Sequence, residues 1–300
     1  MTPSSKPYEY ITEGTAPDAP TLVILPGLGA GAWMFLEAAC HFLPQFKLLL
    51  WNNPGVGGTS LPTHLKVEDI ADSVVAVLNE LDIKSFFLFG HSMGGFTAQT
   101  LAHRYPERVK RMVLMSTSYG QPQSQKDARR FLKDAMIEGV RFTLKGKESI
   151  KERLKKFVSP SFLNHKPEEF VAMVQKVEEN YSGKDVVRAH FICGSLFTSV
   201  PWVREVQTPT LVIHGQDDIL VTPEGGQALA QQLGQAYYWG IKQCGHFPFW
   251  ENPRVYPRMK DFLLGEGVGE KVQQSPHIPT HSGVKNFLKD MIQKWTANKP

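Results

Sequence analysis

The sequence has few cysteines, no long apolar run and no strong excess of either charge. Its 300 residues include only 3 cysteines, which are far apart in the chain and odd in number. This excludes a disulfide framework and a Cys-x-x-Cys metal clip, and it favours a reducing compartment. No apolar run approaches the ~20 residues that cross a bilayer, and residues 1–6 are polar, unlike a secretory signal. We therefore expect a cytoplasmic protein without a transmembrane segment.

The charge balance does not indicate a nucleic-acid partner. The net charge is +4, and no helix-turn-helix, zinc-finger or RNA-binding aromatic signature accompanies it. Hydrophobic residues make up 42% and charged residues 21% of the chain, which are values typical of a globular protein. The sequence thus indicates a folded protein that acts on something other than nucleic acid.

Short apolar runs alternate with helical patterns over most of the chain. This alternation predicts an α/β fold with a mostly parallel twisted sheet flanked by helices. The predicted strands are residues 21–25, 48–51, 85–89, 109–115, 210–214 and 237–241, and the predicted helices are residues 67–81, 93–105 and 256–264.

The alternation is interrupted once and ends before the last residues. We predict a first core part at residues 1–120, an inserted helical cap at 121–204 and a second core part at 205–265. Residues 266–300 form a fourth segment, with a glycine-rich and polar linker followed by an amphipathic stretch. In this stretch an apolar stripe runs from Val284 to Trp295, and we expect it to dock on its own protein or on a partner.

The motif Gly90-His91-Ser92-Met93-Gly94 stands between a predicted strand and a predicted helix. This is the setting of the G-x-S-x-G nucleophile elbow, in which small residues let the chain turn sharply around an exposed serine. A serine hydroxyl is a weak nucleophile until a base removes its proton and an acid orients that base. The motif therefore predicts an acid and a histidine further along the chain.

Two later segments supply candidates for these roles. Gly215-Gln216-Asp217-Asp218 follows a predicted strand, and Gly245-His246-Phe247-Pro248 follows the last one. With these motifs, residues 20–264 resemble the α/β-hydrolase fold family of serine hydrolases, in its branch of esterases, lactonases and C–C hydrolases. The resemblance implies Ser92 as nucleophile, His246 as general base and Asp218 as the orienting acid, since the family's acid usually stands three positions after the glycine. Asp217 is the alternative acid.

The resemblance also implies an oxyanion hole made of backbone N–H groups. By position these are the N–H groups of Met93, directly after the nucleophile, and of Leu28, in Pro26-Gly27-Leu28-Gly29. The chain departs from the family's pattern at two positions. Pro26 replaces a histidine that many relatives carry, and Asn52 replaces an aspartate of the D-x-P-G loop that is usually structural.

The expected activity is hydrolysis of a carboxylic ester, or of a related acyl bond, through an acyl-enzyme. The same triad also serves acyltransferases, thioesterases, enol-lactonases and C–C bond hydrolases, and the motif does not separate these. A receptor or scaffold on the same fold is disfavoured because all three triad positions are filled. No cofactor is implied, and no metal site is predicted because the histidines lack metal-ligand spacing.

The cap carries a charge excess that bears on the substrate. Residues 121–160 contain eleven lysines or arginines and five acidic residues. One interpretation is a solvated helical face; the other is that the cap steers an anionic or carrier-bound acyl substrate, as in the similar pimeloyl-acyl-carrier-protein methyl ester esterases. The residues that would steer it are Arg129, Arg130, Lys133, Arg141, Lys145 and Lys151.

Overall fold

The computed structural model describes residues 9–14, 16, 18–120, 150–266 and 272 of the chain. Over these residues the fold is built on a seven-stranded sheet in the order β1-β3-β2-β4-β5-β6-β7. β1 pairs antiparallel with β3, and every other pair in the sheet is parallel. The predicted α/β fold with a mostly parallel sheet is therefore confirmed.

The sheet has seven strands in the described residues, and every strand except β1 agrees with its predicted run to within two residues at either end. They are β1 (Glu9–Glu13), β2 (Thr21–Leu25), β3 (Lys47–Asn52), β4 (Phe86–His91), β5 (Val109–Met115), β6 (Thr210–Gly215) and β7 (Ala236–Ile241). β1 was not predicted.

Helices cover both faces of the sheet. Those of the core are α1 (Val67–Glu80), α2 (Met93–Arg104), α7 (Pro223–Gln232), α8 (Pro248–Glu251) and α9 (Val255–Leu264). Between β5 and β6, the described residues 150–204 form α3 (Ile150–Phe157), α4 (Pro160–His165), α5 (Pro167–Glu179) and α6 (Lys184–Leu196). Short 3₁₀ turns occur at Ala32–Met34, Glu37–His41 and Val203–Glu205.

The sheet separates two apolar clusters because successive side chains of a strand point to opposite faces. In β2, Leu22 and Ile24 pack on one face with residues of α9, whereas Val23 and Leu25 pack on the other with α1 and α2. All four side chains are buried. A strand buried on both faces reads as a continuous apolar run, which is why this one could be predicted from the sequence.

The inserted helical region is present where the alternation of strands and helices is lost. The exact cap boundaries, 121 and 204, stay a prediction, and residues 121–149 lie outside the described part. The predicted linker and amphipathic stretch at 266–300 also lie outside it, apart from residues 266 and 272. Val272 donates its N–H to the carbonyl of Ala236, 2.9 Å away, at the start of β7.

Candidate active site

Ser92 occupies the sharp turn between β4 and α2. Its backbone has φ 53° and ψ −119°, a conformation that a residue with a side chain adopts only under strain. Three hydrogen bonds hold it there. The Ser92 N–H donates to the carbonyl of Met115 at 2.9 Å, and the Ser92 carbonyl accepts from the N–H of Gly95 and the hydroxyl of Thr117, both at 2.9 Å.

The two glycines of the motif are required by close backbone approaches. A Cβ at Gly90 would come within 2.6 Å of the carbonyl oxygen of Gly94, and one at Gly94 would collide with the carbonyl of Leu25 at the end of β2. These positions therefore accept no side chain without movement of the backbone. The motif is thus explained by the geometry of the turn that carries Ser92, and not merely by a flexible glycine-rich loop.

His246 and Asp218 meet in the loops that follow β7 and β6. The Nδ1–H of His246 donates to Oδ2 of Asp218 at 2.7 Å. Oδ1 of Asp218 accepts the N–H groups of Leu220 and Val221, at 2.9 and 3.0 Å. The side chain of the alternative acid, Asp217, is exposed, so the aspartate brought to His246 is Asp218.

The Asp218 carboxylate also contacts a second histidine. Burial opposes its ionisation, but His246 and His214 outweigh burial and hold the pKa of Asp218 well below its usual range. Nε2 of His214 lies 3.4 Å from Oδ2 of Asp218 and donates to the Val221 carbonyl at 2.8 Å. This second contact was not predicted from the sequence, because nothing in a strand residue's position indicates which loop folds back over it.

Glu251 holds the loop that carries His246. Its carboxylate accepts the N–H of Gly245 at 2.9 and 3.0 Å, the N–H of Phe247 at 3.3 Å and the N–H of Ser159 at 2.9 Å. The last of these belongs to the inserted region, between α3 and α4. One buried carboxylate therefore fixes the histidine loop and joins it to the insertion.

His91, directly before Ser92, points away from the turn and contacts the histidine loop. Its Nε2–H donates to the main-chain carbonyl of His246 at 3.0 Å. Burial, together with the nearby His246 ring, lowers the pKa of His91 to about 3. His91 is therefore neutral near pH 7 and connects the turn that carries Ser92 to the loop that carries His246.

The loop after β2 lies beside Ser92. A Cβ at Gly27 would be 3.3 Å from the Cβ of Ser92. Nδ2 of Asn53 donates to the carbonyls of Pro26 and Gly27, at 3.2 and 2.8 Å. The Gly27 carbonyl and the Leu28 N–H share one planar trans peptide and point in opposite directions, so Asn53 also fixes the direction of that N–H.

Two backbone donors remain available beside the serine. Within the described part of the chain, no hydrogen bond occupies the N–H of Leu28 or of Met93. Unpaired backbone donors are rare inside proteins and are usually satisfied by a partner such as a ligand or water. The oxyanion-hole role of these two N–H groups stays a prediction.

Asn52 stands where the family often has aspartate, and its neighbours explain the difference. Its Oδ1 accepts the N–H of Ala32 at 2.7 Å, and its Nδ2 donates to the Glu9 carboxylate at 2.5 Å. The same carboxylate accepts the N–H of Gly58 at 3.0 Å. An aspartate here would face Glu9 with like charge, whereas the amide donates to it.

The described residues contain no group of three or more His, Cys, Asp or Glu side chains arranged to hold a metal ion. The three cysteines are free thiols. None of the described helices is both long enough and apolar enough to cross a membrane.

Proteins with similar sequences have several activities. The chain is 29% identical to a poly(3-hydroxyalkanoate) depolymerase of Ectopseudomonas oleovorans, with 83% of this chain and 86% of the relative covered. It is 23% identical to 3-oxoadipate enol-lactonase 2 of Acinetobacter baylyi, with 85% and 92% covered.

Solved structures show the same fold. A thermophilic esterase of Thermogutta terrifontis matches with a TM-score of 0.72 at 23% identity, over 86% of this chain and 93% of the other. The enol-lactonase of Burkholderia xenovorans matches with a TM-score of 0.73 at 21% identity, over 86% and 96%. The sequence model of the alpha/beta hydrolase fold matches residues 20–253. The chain therefore belongs to the α/β-hydrolase fold family.

Proposed function

We propose that the chain is a serine hydrolase that cleaves carboxylic esters through an acyl-enzyme on Ser92. The observation that carries the proposal is the 2.7 Å hydrogen bond between His246 and the buried carboxylate of Asp218, in a loop that is bonded to His91, the residue before the strained Ser92. A strained, well-hydrogen-bonded serine turn and a buried histidine–carboxylate pair are features of nucleophilic catalysis.

In this mechanism His246 carries protons between the reacting groups. Its Nε2 takes the hydroxyl proton of Ser92 while Oγ attacks the carbonyl carbon of the ester. The proton then passes to the leaving alkoxide as the C–O bond breaks, which leaves the acyl group on Ser92. Water enters, gives a proton to His246 and attacks the acyl carbon, and the same proton returns to Ser92 as the acid leaves.

Asp218 accepts the Nδ1–H of His246 throughout this cycle. It holds the tautomer that has a lone pair on Nε2, and it stabilises the imidazolium that forms. The lowered pKa of Asp218 supports this role, because a lowered pKa favours the carboxylate form that accepts the Nδ1–H.

Leu28 and Met93 complete the proposal as the oxyanion hole. Their two N–H groups would donate to the carbonyl oxygen of the substrate as it becomes an oxyanion. Removing one such donor costs roughly 100 to 1000-fold in rate in other hydrolases. The hydrogen bonds of Asn53 to the loop support a donor that is oriented before the substrate arrives.

The names of the relatives support an ester but leave the acyl group open. A lactone, as in the enol-lactonase name, is a cyclic ester and would pass through the same steps. Acyl transfer, thioester cleavage and C–C bond hydrolysis would use the same three residues, so they are alternatives for the test. The family implies a small-molecule substrate.

If the charged cap steers the substrate to the site, the sequence favours an anionic or carrier-bound acyl group. Of the six residues named for that role, Lys151 is described and exposed, at the start of α3. Arg129, Arg130, Lys133, Arg141 and Lys145 lie outside the described residues. Steering therefore stands on the charge excess of residues 121–160.

The test is a turnover screen with esters, lactones, acyl thioesters and a vinylogous diketone. The wild type is compared with Ser92→Ala and with Ser118→Ala, a nearby hydroxyl whose hydrogen bond to the Gly120 N–H is local. We expect ester or lactone turnover that Ser92→Ala removes and Ser118→Ala keeps. Turnover of the diketone alone would contradict the ester assignment, and turnover that survives Ser92→Ala would contradict the nucleophile.

A further inference from the structure

Helix α6 of the inserted region packs against core segments next to Ser92 in sequence and in space. The helix places Val186, Val187, His190 and Gly194 on one face, at the spacing of a helix side. A Cβ at Gly29 would lie 3.2 Å from Val187, and one at Gly194 would lie 3.9 Å from the Met93 side chain. The face therefore contacts both the loop after β2 and the start of α2.

His190 makes two hydrogen bonds from this face, and both end on backbone atoms of the core. The Gly29 N–H donates to Nδ1 at 2.9 Å, and Nε2–H donates to the Pro54 carbonyl at 2.7 Å. A carbonyl can only accept, so the proton is on Nε2 and Nδ1 keeps its lone pair. Burial lowers the pKa of His190 to about 4, which is consistent with this neutral form near pH 7.

Three contacts hold three successive peptide groups of the loop after β2, which carries the Leu28 N–H. Asn53, from the core, holds the carbonyl of Gly27, whose peptide carries the Leu28 N–H. His190 holds the N–H of the next peptide, and the Ser182 hydroxyl donates to the Gly29 carbonyl at 3.2 Å in the one after it. Two of the three contacts come from the inserted region.

We propose that His190 is a positioning residue for the oxyanion hole, acting through its Nδ1 bond to Gly29. This rests on the proposed function, since it assigns the Leu28 N–H to the oxyanion. Gly29 has φ +71°, a left-handed conformation that glycine adopts easily but leaves as easily. The Nδ1 bond holds the Leu28–Gly29 peptide, and with Asn53 on the preceding peptide it defines the backbone angles of Leu28.

Two amide substitutions at position 190 distinguish the two hydrogen bonds of His190. In asparagine, Oδ1 stands near the position of Nδ1 and can accept from Gly29. In glutamine, Nε2 stands near the position of the histidine Nε2 and can donate to Pro54, but no acceptor remains for Gly29. His190→Asn and His190→Gln therefore bury similar groups and differ in which bond survives. His165→Gln is the control, because His165 is exposed on α4 and bonds only within its own turn.

The experiment measures kcat and KM for an ester, and the inhibition constant of an alkyl trifluoromethyl ketone. We expect His190→Gln to lower kcat by about 10 to 100-fold with KM within about threefold, since a small misplacement of a catalytic group costs up to about 100-fold. The ketone forms a hemiketal oxyanion with the serine, so its binding should weaken in the same proportion. His190→Asn should retain most of kcat, and His165→Gln should retain all of it.

Equal losses of kcat in the two amide variants, or a loss confined to KM, would overturn the role of the Nδ1 bond. Ser182→Ala provides a second measurement if either variant folds poorly, and it should lower kcat by a few-fold without raising KM. No change in kcat or in ketone binding would count against the proposal. Absence of turnover that depends on Ser92 in the wild type would overturn the proposed function as well, and Ser92-dependent turnover with unaffected His190 variants would overturn this inference alone.

Discussion

The loops at the carboxyl ends of the strands and the inserted helices both contact the candidate site, but in different ways. The loops carry the side chains that the proposed mechanism uses, namely Ser92, Asp218 and His246. The insertion supplies hydrogen bonds to the loops: the Ser159 N–H donates to the Glu251 carboxylate, and Nδ1 of His190 accepts the N–H of Gly29. In the proposed mechanism, the core thus provides the reacting side chains, whereas the insertion helps to orient the loops that carry them.

The largest effect is expected at the acid of the core. Asp218→Asn keeps the size of the side chain but reverses its hydrogen bond with Nδ1 of His246, so we expect kcat to fall by about 10⁴-fold. Asp217→Asn is the matched control, because that side chain is exposed and its N–H, not its carboxylate, bonds to Cys244. Steady-state kinetics check both. A loss at Asp217 equal to the loss at Asp218 would show that the acid is wrongly assigned.

The contact between the two regions at Glu251 should have the next largest effect. Glu251→Gln turns an NH₂ group toward N–H donors of Gly245, Phe247 or Ser159, and an unsatisfied buried group costs about 1 to 3 kcal/mol. We expect a lower midpoint in urea unfolding together with a lower kcat. Glu107→Gln, on the surface after α2, should change neither. A destabilised variant with wild-type kcat would mean that the histidine loop is held without this carboxylate.

Some parts of the fold and of the candidate site could be predicted from the sequence, and others could not. Ser92 and His246 stand in short motifs because the backbone turns there accept only glycine at fixed positions. β1 was missed because it is a five-residue antiparallel edge strand, with a pattern too short to recognise. Its Glu9 also explains Asn52, a departure from the family's pattern that no local pattern could account for.

Helix α7 was missed for a different reason. Its sequence contains two adjacent glycines, Gly225 and Gly226, which favour a turn in a local reading. A Cβ at Gly226 would collide with the His214 ring, so glycine is needed there to let α7 pack closely against His214.

His190 had no signal in the sequence, because its hydrogen-bond partners are backbone atoms more than a hundred residues away in sequence.

The pH dependence of stability offers a smaller test, of the buried and neutral state of His190 on α6. The pKa of His190 falls from 6.5 to about 4 on folding, so between these pH values the unfolded chain binds a proton that the folded chain does not. Stability therefore decreases as the pH is lowered through this window, by roughly 3 kcal/mol for this group alone. His190→Asn removes the group, and urea unfolding between about pH 7 and about pH 4.5 should show a shallower decrease. An unchanged slope, with exposed His165→Asn as the reference, would contradict a buried neutral His190.

The smallest effect concerns charge on the insertion. If the excess over residues 121–160 steers the substrate, kcat/KM for an anionic or carrier-bound ester should fall as salt is added, because charges are screened beyond about 8 Å at physiological ionic strength. The value for a neutral ester of the same acyl length should change little. Parallel salt curves for the two esters would mean that the insertion does not select by charge.

The most direct measurement of the central claim is covalent labelling of the serine. A fluorophosphonate reacts with a hydroxyl that a neighbouring base activates, and peptide mass spectrometry identifies the labelled residue. The account predicts a label on Ser92, slower by orders of magnitude in His246→Ala and absent in Ser92→Ala, while Ser118→Ala labels as the wild type does. A label on another residue, or an equal rate in His246→Ala, would contradict it.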